Sequence, residues 1–259
     1  MITAGIDVGL EYTKIVILRD GAVVSKGIDR SGGLMRKAAI EKTWRETLQK
    51  AGLSQSVIDL TVATGQGKTD VPFADRQITE AVADAKAARY VLPDAITVAD
   101  CGADQTRVVR LGKGDDIEEV VLNQKCMAGL GLLMNRTARR LEMTLDALSG
   151  LDGSATDGLA VNDGCPVFAE MDILELMNQN VPKEQIAHAV IRTAAVRMNS
   201  ILNDKFTPAR DKTVLFGGIT KNSALVKALR DRSGIEFVIP ENAEYGCALG
   251  AALVGAARG

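Results

Sequence analysis

Apolar and polar positions alternate with a period of two from the first residues onward. "ITAGIDVG" (2–9) reads as a buried strand ending in a turn, and "EYTKIVILRDGAVVSKG" (11–27) as two more strands folded back at Asp20-Gly21, a strong hairpin signal. The period then lengthens. "LMRKAAIEKTWRETLQKAG" (34–52) is an amphipathic helix closed by Gly52. "VIDLTVATGQG" (57–67) gives a strand and a glycine turn, and "ITEAVADAKAARYVLP" (78–93) a helix stopped before Pro93. The opening pattern returns in "AITVADCGADQTRVVRLGKGDDIEEVVLN" (95–123), again strand, Asp-x-Gly turn, strand, turn, strand. Helices are predicted at about 129–148, 168–179 and 183–204. "DKTVLFGGITKN" (211–222) is a strand running into a Gly-Gly turn, followed by a helix at 222–233, a last strand "IEFVIP" (235–240) and a last helix at 243–257.

Alternating strands and helices define an α/β protein. The repeated strand units, starting near residues 2 and 95, predict two similar domains with a cleft between them. The boundary is expected near residue 95, with domains at 1–95 and 96–259 and the C-terminal helix packing on the first. No low-complexity linker separates them. The chain of 259 residues is 46% hydrophobic and 25% charged, with a net charge of −2, so it has ample material for a core and an ordinary globular composition. No basic block or stripe with aromatics is present, which argues against nucleic acid as a partner. The start lacks a basic stretch before an apolar core, and "CALGAALVGAA" (247–257) is too short to span a bilayer. A cytoplasmic protein away from the membrane is expected, and four cysteines without close pairing argue against a disulfide scaffold.

The candidate chemistry begins in the turns. "DVGLEYTK" (7–14) and "DCGADQTR" (100–107) share one design: an Asp ends a buried strand, and Gly9 or Gly102 lets the backbone approach a ligand closely. Backbone N–H groups of two such loops suit phosphates, and Asp7 and Asp100 suit Mg²⁺ held through its waters. Thr13 supplies a hydroxyl and Lys14 a point charge for a phosphate. A third loop, "LFGGITKN" (215–222), offers Gly217 and Gly218 as bare backbone for a flat base. A single Asp-x-Gly turn says little, but three loops in this order on repeated units point to a nucleotide.

This order resembles the acetate kinase, sugar kinase, heat-shock chaperone and actin superfamily, and the resemblance covers almost the whole chain. It implies two actin-like (ribonuclease H-like) domains with an ATP cleft between them. Within it the chain is similar to the small ATPases of benzoyl-CoA reductases and 2-hydroxyacyl-CoA dehydratase activators. The residues carrying that likeness are "GIDVG" (5–9), "ATGQGK" (63–68), "ITEA" (78–81), "NQKCMAG" (123–129), "GCPVFAE" (164–170), "FGGITKN" (216–222) and "EYGCALGAAL" (244–253). The resemblance assigns Asp7, Asp100, Asp104 and Gln105 to hydrolysis of Mg²⁺-ATP. It assigns Gly9, Thr13, Lys14, Gly102, Gly217, Gly218 and Lys221 to the nucleotide. Cys126 and Cys165 each open a predicted helix, where free N–H groups and the positive dipole end stabilise a thiolate or an anionic cluster. Cys101 and Cys247 read as small buried hydrophobes. A cubane needs four thiolates, so two per chain imply a second chain. The family's solution is a 4Fe–4S cluster shared by two subunits, fed by a ferredoxin-like donor and serving CoA-thioester reductase or dehydratase subunits.

Departures from the activator pattern refine the expectation. Activators commonly read Asp-Ile-Gly-Gly-Gln-Asp-Ser-Lys where this chain has "DCGADQTR". Ala103 replaces a Gly and Asp104-Gln105 inverts the usual order, so Asp104 and Gln105 both stand as positioners of the attacking water. "MAGLGLL" (127–133) lacks the Thr and Arg usual in that loop, and "VADAKAA" (82–88) replaces Cys-His-Ala. Such divergence suggests a specialised subunit of a hetero-oligomeric benzoyl-CoA reductase, with a homodimeric dehydratase activator as the alternative. A small-molecule kinase is a reading from another class, with Asp70, Asp75 and Asp84 as available bases; a nucleotide-binding scaffold without turnover is a third. His188, Trp44 and Glu170 read as structural helix residues, and "GDDIEE" (114–119) as a solvated hairpin.

Overall fold

The computed structural model describes residues 1–31, 33–114, 116–123, 129–151, 158–203 and 212–257. The chain divides into two compact units. The first comprises Met1–Val98, Leu111–Glu118 and Glu241–Gly259, the second Ala99–Arg110 and Glu119–Pro240.

In the first unit the strands are β1 (Ile2–Val8), β2 (Tyr12–Arg19), β3 (Ala22–Arg30), β4 (Leu60–Thr64) and β5 (Arg76–Gln77), ordered β3-β2-β1-β4-β5. β1 and β2 run antiparallel, as do β2 and β3, while β4 lies parallel to β1 and β5 parallel to β4. The hairpin at Asp20-Gly21 is tight because both residues take positive φ, 51° and 80°. That is the turn whose twist matches paired strands. The strand period of two sorts the side chains. Ile15 and Ile17 join Ile40, Trp44 and Leu48 of α1 (Arg36–Ala51) in one core. Val16 and Leu18 join Ala248 and Ala252 of α8 (Gly246–Ala256) in another. The sheet is therefore covered on both faces, with α2 (Glu80–Val91) lying against α8.

The second sheet holds β6 (Thr97–Cys101), β7 (Thr106–Leu111), β8 (Ile117–Leu122), β9 (Thr213–Phe216) and β10 (Phe237–Val238), ordered β10-β9-β6-β7-β8. Counted from its own first strand, this is the strand order of the first sheet, so the sequence repeat is a repeat of topology. Between β8 and β9 stand α3 (Leu130–Arg140), α4 (Leu145–Ser149), α5 (Pro166–Asn178) and α6 (Lys183–Leu202), and α7 (Ser223–Ser233) follows β9. Their apolar faces form one core with Ala99, Val108 and Leu215. Two mixed sheets with helices agree with the α/β class expected.

One predicted helix is two. The stretch 129–148 breaks because Glu142 adopts φ 51°, and Thr144 then caps the new helix by accepting from Ala147 N at 3.0 Å. Among the described residues no helix is long and apolar enough to cross a membrane. The Gly/Ala run of α8 instead permits close approach. A Cβ at Gly5 would stand 1.9 Å from Ala248 O, and one at Gly250 1.8 Å from Ala83 O. Gly250→Ala is expected to lower the unfolding free energy by about 1–3 kcal/mol through overpacking. Gly255→Ala, whose nearest neighbours would lie 3.4 Å away, is expected to be neutral or stabilising by up to about 1 kcal/mol. Urea midpoints of the two variants, measured side by side, check the contrast.

Candidate functional site

Two tight turns are built alike. β1 delivers Asp7, and Gly9 N donates to Tyr12 O at 3.0 Å to close the turn. Lys14, on the returning strand, places Nζ 3.0 Å from Asp7 Oδ2. In the second unit β6 delivers Asp100, Gly102 N donates to Gln105 O at 2.9 Å, and Arg107 Nη2 lies 3.5 Å from Asp100 Oδ2. The pairs Asp7/Asp100, Gly9/Gly102, Thr13/Thr106 and Lys14/Arg107 hold equivalent places. Arg107 was not singled out from the sequence; laying the second repeat over the first would have found it.

Both ion pairs are largely out of water, with side-chain exposures of 18% and 8% for Lys14 and Asp7 and of 6% and 13% for Arg107 and Asp100. A buried ion pair adds little to stability, since desolvation offsets the attraction. Two such pairs at equivalent strand ends therefore point to a role beyond folding. Thr13 is fully buried, its hydroxyl 3.3 Å from Ser31 Oγ. Ser31 Oγ donates to Gly9 O and Ser31 N to Glu11 O, both at 2.8 Å, which knits β3 to the first turn. No sequence signal marks Ser31. In the second turn Gln105 Oε1 accepts from Arg107 Nη1 at 3.3 Å, and Asp104 precedes it at the tip.

The third loop meets the second turn within the same unit. Gly217 takes φ 99°, and a Cβ there would lie 2.1 Å from Cys101 O and 2.8 Å from Asp100 Oδ1. Its bare face is thus filled by protein backbone, whereas Gly218 faces open space with nothing within 4 Å. Lys221 ends the short helix Gly218–Lys221, and its carbonyl accepts from Ser149 Oγ at 3.0 Å. Ser149 Oγ also accepts from Ser223 N at 2.9 Å, fixing the start of α7.

Cys165 is the N-cap of α5, half-buried, followed by Pro166 and without a side-chain cap bond. Asn162 Oδ1 accepts from Gly164 N at 2.9 Å and from Cys165 N at 2.8 Å, which turns the chain into the helix. Cys126 lies outside the described residues. Cys101 and Cys247 are buried, and the Cys247 thiol donates to Asp84 Oδ1 at 3.0 Å. The kinase-type aspartates are each engaged: Asp70 Oδ2 accepts from Arg36 Nη1 at 3.1 Å, Asp75 Oδ2 from Thr61 N at 2.7 Å, and Asp84 from Cys247.

A sequence model of the BadF/BadG/BcrA/BcrD ATPase family matches residues 4–255. The activator of lactoyl-CoA dehydratase from Anaerotignum propionicum is 34% identical over 260 residues, covering 98% of this chain and 96% of the relative. One of the subunits of benzoyl-CoA reductase from Thauera aromatica is 27% identical over 267 residues, covering 99% and 94%. Among solved structures, the activator of the 2-hydroxyisocaproyl-CoA dehydratase from Clostridium difficile with bound ADPNP matches with a TM-score of 0.89 at 26% identity, covering 98% and 94%. The fold is the two-domain fold of the actin-like ATPases.

The two adjacent glycines of the third loop should behave differently. Gly217→Ala is expected to destabilise the chain by about 1–3 kcal/mol, since its Cβ meets backbone. Gly218→Ala is expected to leave stability within about 0.5 kcal/mol. Thermal unfolding with and without an ATP analogue measures both; equal losses at the two positions would contradict the geometry.

Proposed function

The chain belongs to the BadF/BadG/BcrA/BcrD ATPase family, and from that premise we propose that it is the ATP-hydrolysing activator of a 2-hydroxyacyl-CoA dehydratase. It delivers low-potential electrons to that enzyme through a 4Fe–4S cluster shared by two copies of the chain. The observation that carries this reading is the full-length likeness to a dehydratase activator at 34% identity, against 27% for the benzoyl-CoA reductase relative. The order of the two readings drawn from the sequence is thereby reversed. Benzoyl-CoA reductase becomes the alternative, favoured by the departures at 103–105 and 127–133.

The donor sets suit both groups. Carboxylate oxygens of Asp7 and Asp100 are the hard ligands that Mg²⁺ prefers. Gly218 leaves open backbone beside the second turn. For the cluster, Cys165 offers a half-buried thiol at a helix start free of any side-chain cap. Cys101 and Cys247, closed in the core, are out of reach of a second chain. Cys126 is the other ligand assigned by the resemblance. The ATPase supplies the free energy of hydrolysis, and the cluster, when bound, supplies one-electron chemistry.

The chain's own groups hold and orient the nucleotide. Lys14 and Arg107 are the cations that would meet phosphate oxygens, and Asp7 and Asp100 the carboxylates that would hold Mg²⁺. A buried charge that passed from its protein partner to such a ligand would avoid the cost of an orphaned ion. Arg107 holds the Gln105 amide by its oxygen, which orients that side chain for the attacking water, with Asp104 beside it as an acceptor. Asp70, Asp75 and Asp84 each accept a bond from a neighbouring protein group, and none of those contacts favours the kinase reading.

Protein prepared without oxygen is expected to carry about four iron atoms per two chains. Cys165→Ser and Cys126→Ser lose the iron, while Cys101→Ser and Cys247→Ser keep it; equal loss in all four variants would refute the ligand assignment. Asp7→Asn and Asp100→Asn are expected to lower Mg²⁺-dependent ATP hydrolysis by at least about 100-fold while the visible absorbance of the cluster stays. Mixed with a reductant, ATP and a 2-hydroxyacyl-CoA dehydratase, the protein should switch on dehydration. Activation of a benzoyl-CoA reductase alone would select the alternative.

A further inference from the structure

The second phosphate turn is bonded directly to the helix that starts nearest Cys126 in sequence. Gly131 N donates to Gly102 O at 3.3 Å, and Leu132 N donates to Ala103 O at 2.9 Å. These amides belong to the first turn of α3, where a helix normally leaves its N–H groups unpaired. The N-cap, Gly129, makes no side-chain cap bond, so the turn's carbonyls do the capping. The contact needs glycine: a Cβ at Gly131 would lie 2.8 Å from Ala103 Cα and 2.9 Å from Gly102 O. On the other side of residues 124–128, Asn123 N donates to Thr106 O at 2.9 Å. Both described flanks of that segment therefore hang on residues 102–106.

Farther along α3, Arg136 Nη1 donates to Glu170 Oε1 at 2.8 Å, and Arg140 Nη2 lies 3.9 Å from Glu170 Oε2. Glu170 sits on α5, the helix capped by Cys165. Arg136 and Glu170 are 45% and 26% exposed, so their ion pair adds little to folding stability. It ties the two helices at the surface, beside the core that Leu133 of α3 shares with Ala169 and Ile173 of α5.

We propose that Gly131, Arg136 and Glu170 are positioning residues that couple the second phosphate turn to the Cys165 thiol, with α3 as the transmitting rod. The inference rests on the nucleotide-and-cluster reading above and names how one half of that site sets the other. All its parts lie in the second unit. A change of the turn on exchange of nucleotide shifts the carbonyls of Gly102 and Ala103. The first turn of α3 follows them, and Arg136 carries the shift to Glu170 and so to the start of α5. A ligand moves such an element only by the difference in its affinity for the two arrangements.

The test uses the full chain in its iron-free form and reads alkylation of Cys165 by iodoacetamide, resolved by mass spectrometry of its peptide. The rate is compared between Mg²⁺-ADP and a non-hydrolysable Mg²⁺-ATP analogue. The unmodified chain is expected to show a difference of about 5-fold or more. Glu170→Gln should reduce it to about 2-fold or less while kcat and KM for ATP stay at the wild-type values. Arg136→Glu should do the same, and the Arg136→Glu/Glu170→Arg double variant should restore the dependence, a rescue that loss of packing would not give. Gly131→Ala should raise KM for ATP and abolish the dependence together. If the unmodified chain hydrolyses ATP and binds iron yet alkylates equally with both nucleotides, the proposal falls and the functional reading stands. The same holds if Glu170→Gln keeps the full dependence. A chain that neither hydrolyses ATP nor binds iron overturns the functional reading and this inference with it.

Discussion

A carboxylate at the end of a buried strand, neutralised by a cation on the strand that returns, is the interaction on which the rest of the structure depends. It occurs twice with the same spacing, Asp7 with Lys14 and Asp100 with Arg107 (14 − 7 and 107 − 100 are both 7). Antiparallel pairing explains the spacing in the first copy, because Asp7 and Lys14 are register partners across β1 and β2. Neither charge would be tolerated alone at this depth. A hydrophobic pair would hold the strands as well or better. Under the proposed function the charges would serve ligands of opposite sign, each protected from desolvation by its partner until then.

Placing charges there demands backbone close by, and that demand explains the glycines. Gly5 admits α8 to the face of β1, and Gly250 admits α2 to α8, in both cases at distances a methyl group would forbid. Gly217 admits the third loop to Asp100 and Cys101, and Gly131 admits α3 to Ala103. Close approach leaves a packed interior little freedom to deform gradually. Displacement at one such contact must then be passed on as a rigid shift of the element concerned, which is the behaviour a nucleotide-driven device needs.

Much of this was legible in the sequence, and what was not has a common cause. The strand period gave both halves of the repeat, and Asp20-Gly21 announced its hairpin because few residue pairs accept positive φ in succession. Cys165 could be placed at a helix entrance because a polar turn precedes it and the helical pattern of 168–179 follows. The break between α3 and α4 was missed because glutamate carries no signal for the left-handed conformation that Glu142 adopts. The two letters of Gly217-Gly218 are identical, yet one is filled by the carbonyl of Cys101 and the other lies open. That difference is set by a strand more than a hundred positions earlier. Ser31 and Ser149 act through contacts distant in sequence, which no local period encodes.

The two halves share a sheet and a turn, but they do not share their helices. Among the described residues, α1 is the α-helix between the third and fourth strands of the first sheet, whereas α3, α4, α5 and α6 lie between those of the second. The turn with its ion pair is thus duplicated, and the helix capped by Cys165 is not. Within the second unit the bonds differ in kind along the route from turn to thiol. Near the phosphate turn they are backbone amides on carbonyls with no room for a side chain, so they respond to small displacements. Near α5 they are long, half-exposed side chains, whose pairing costs little to break and re-form. A stiff contact at the turn and a yielding one at α5 are what the proposed coupling from turn to thiol requires.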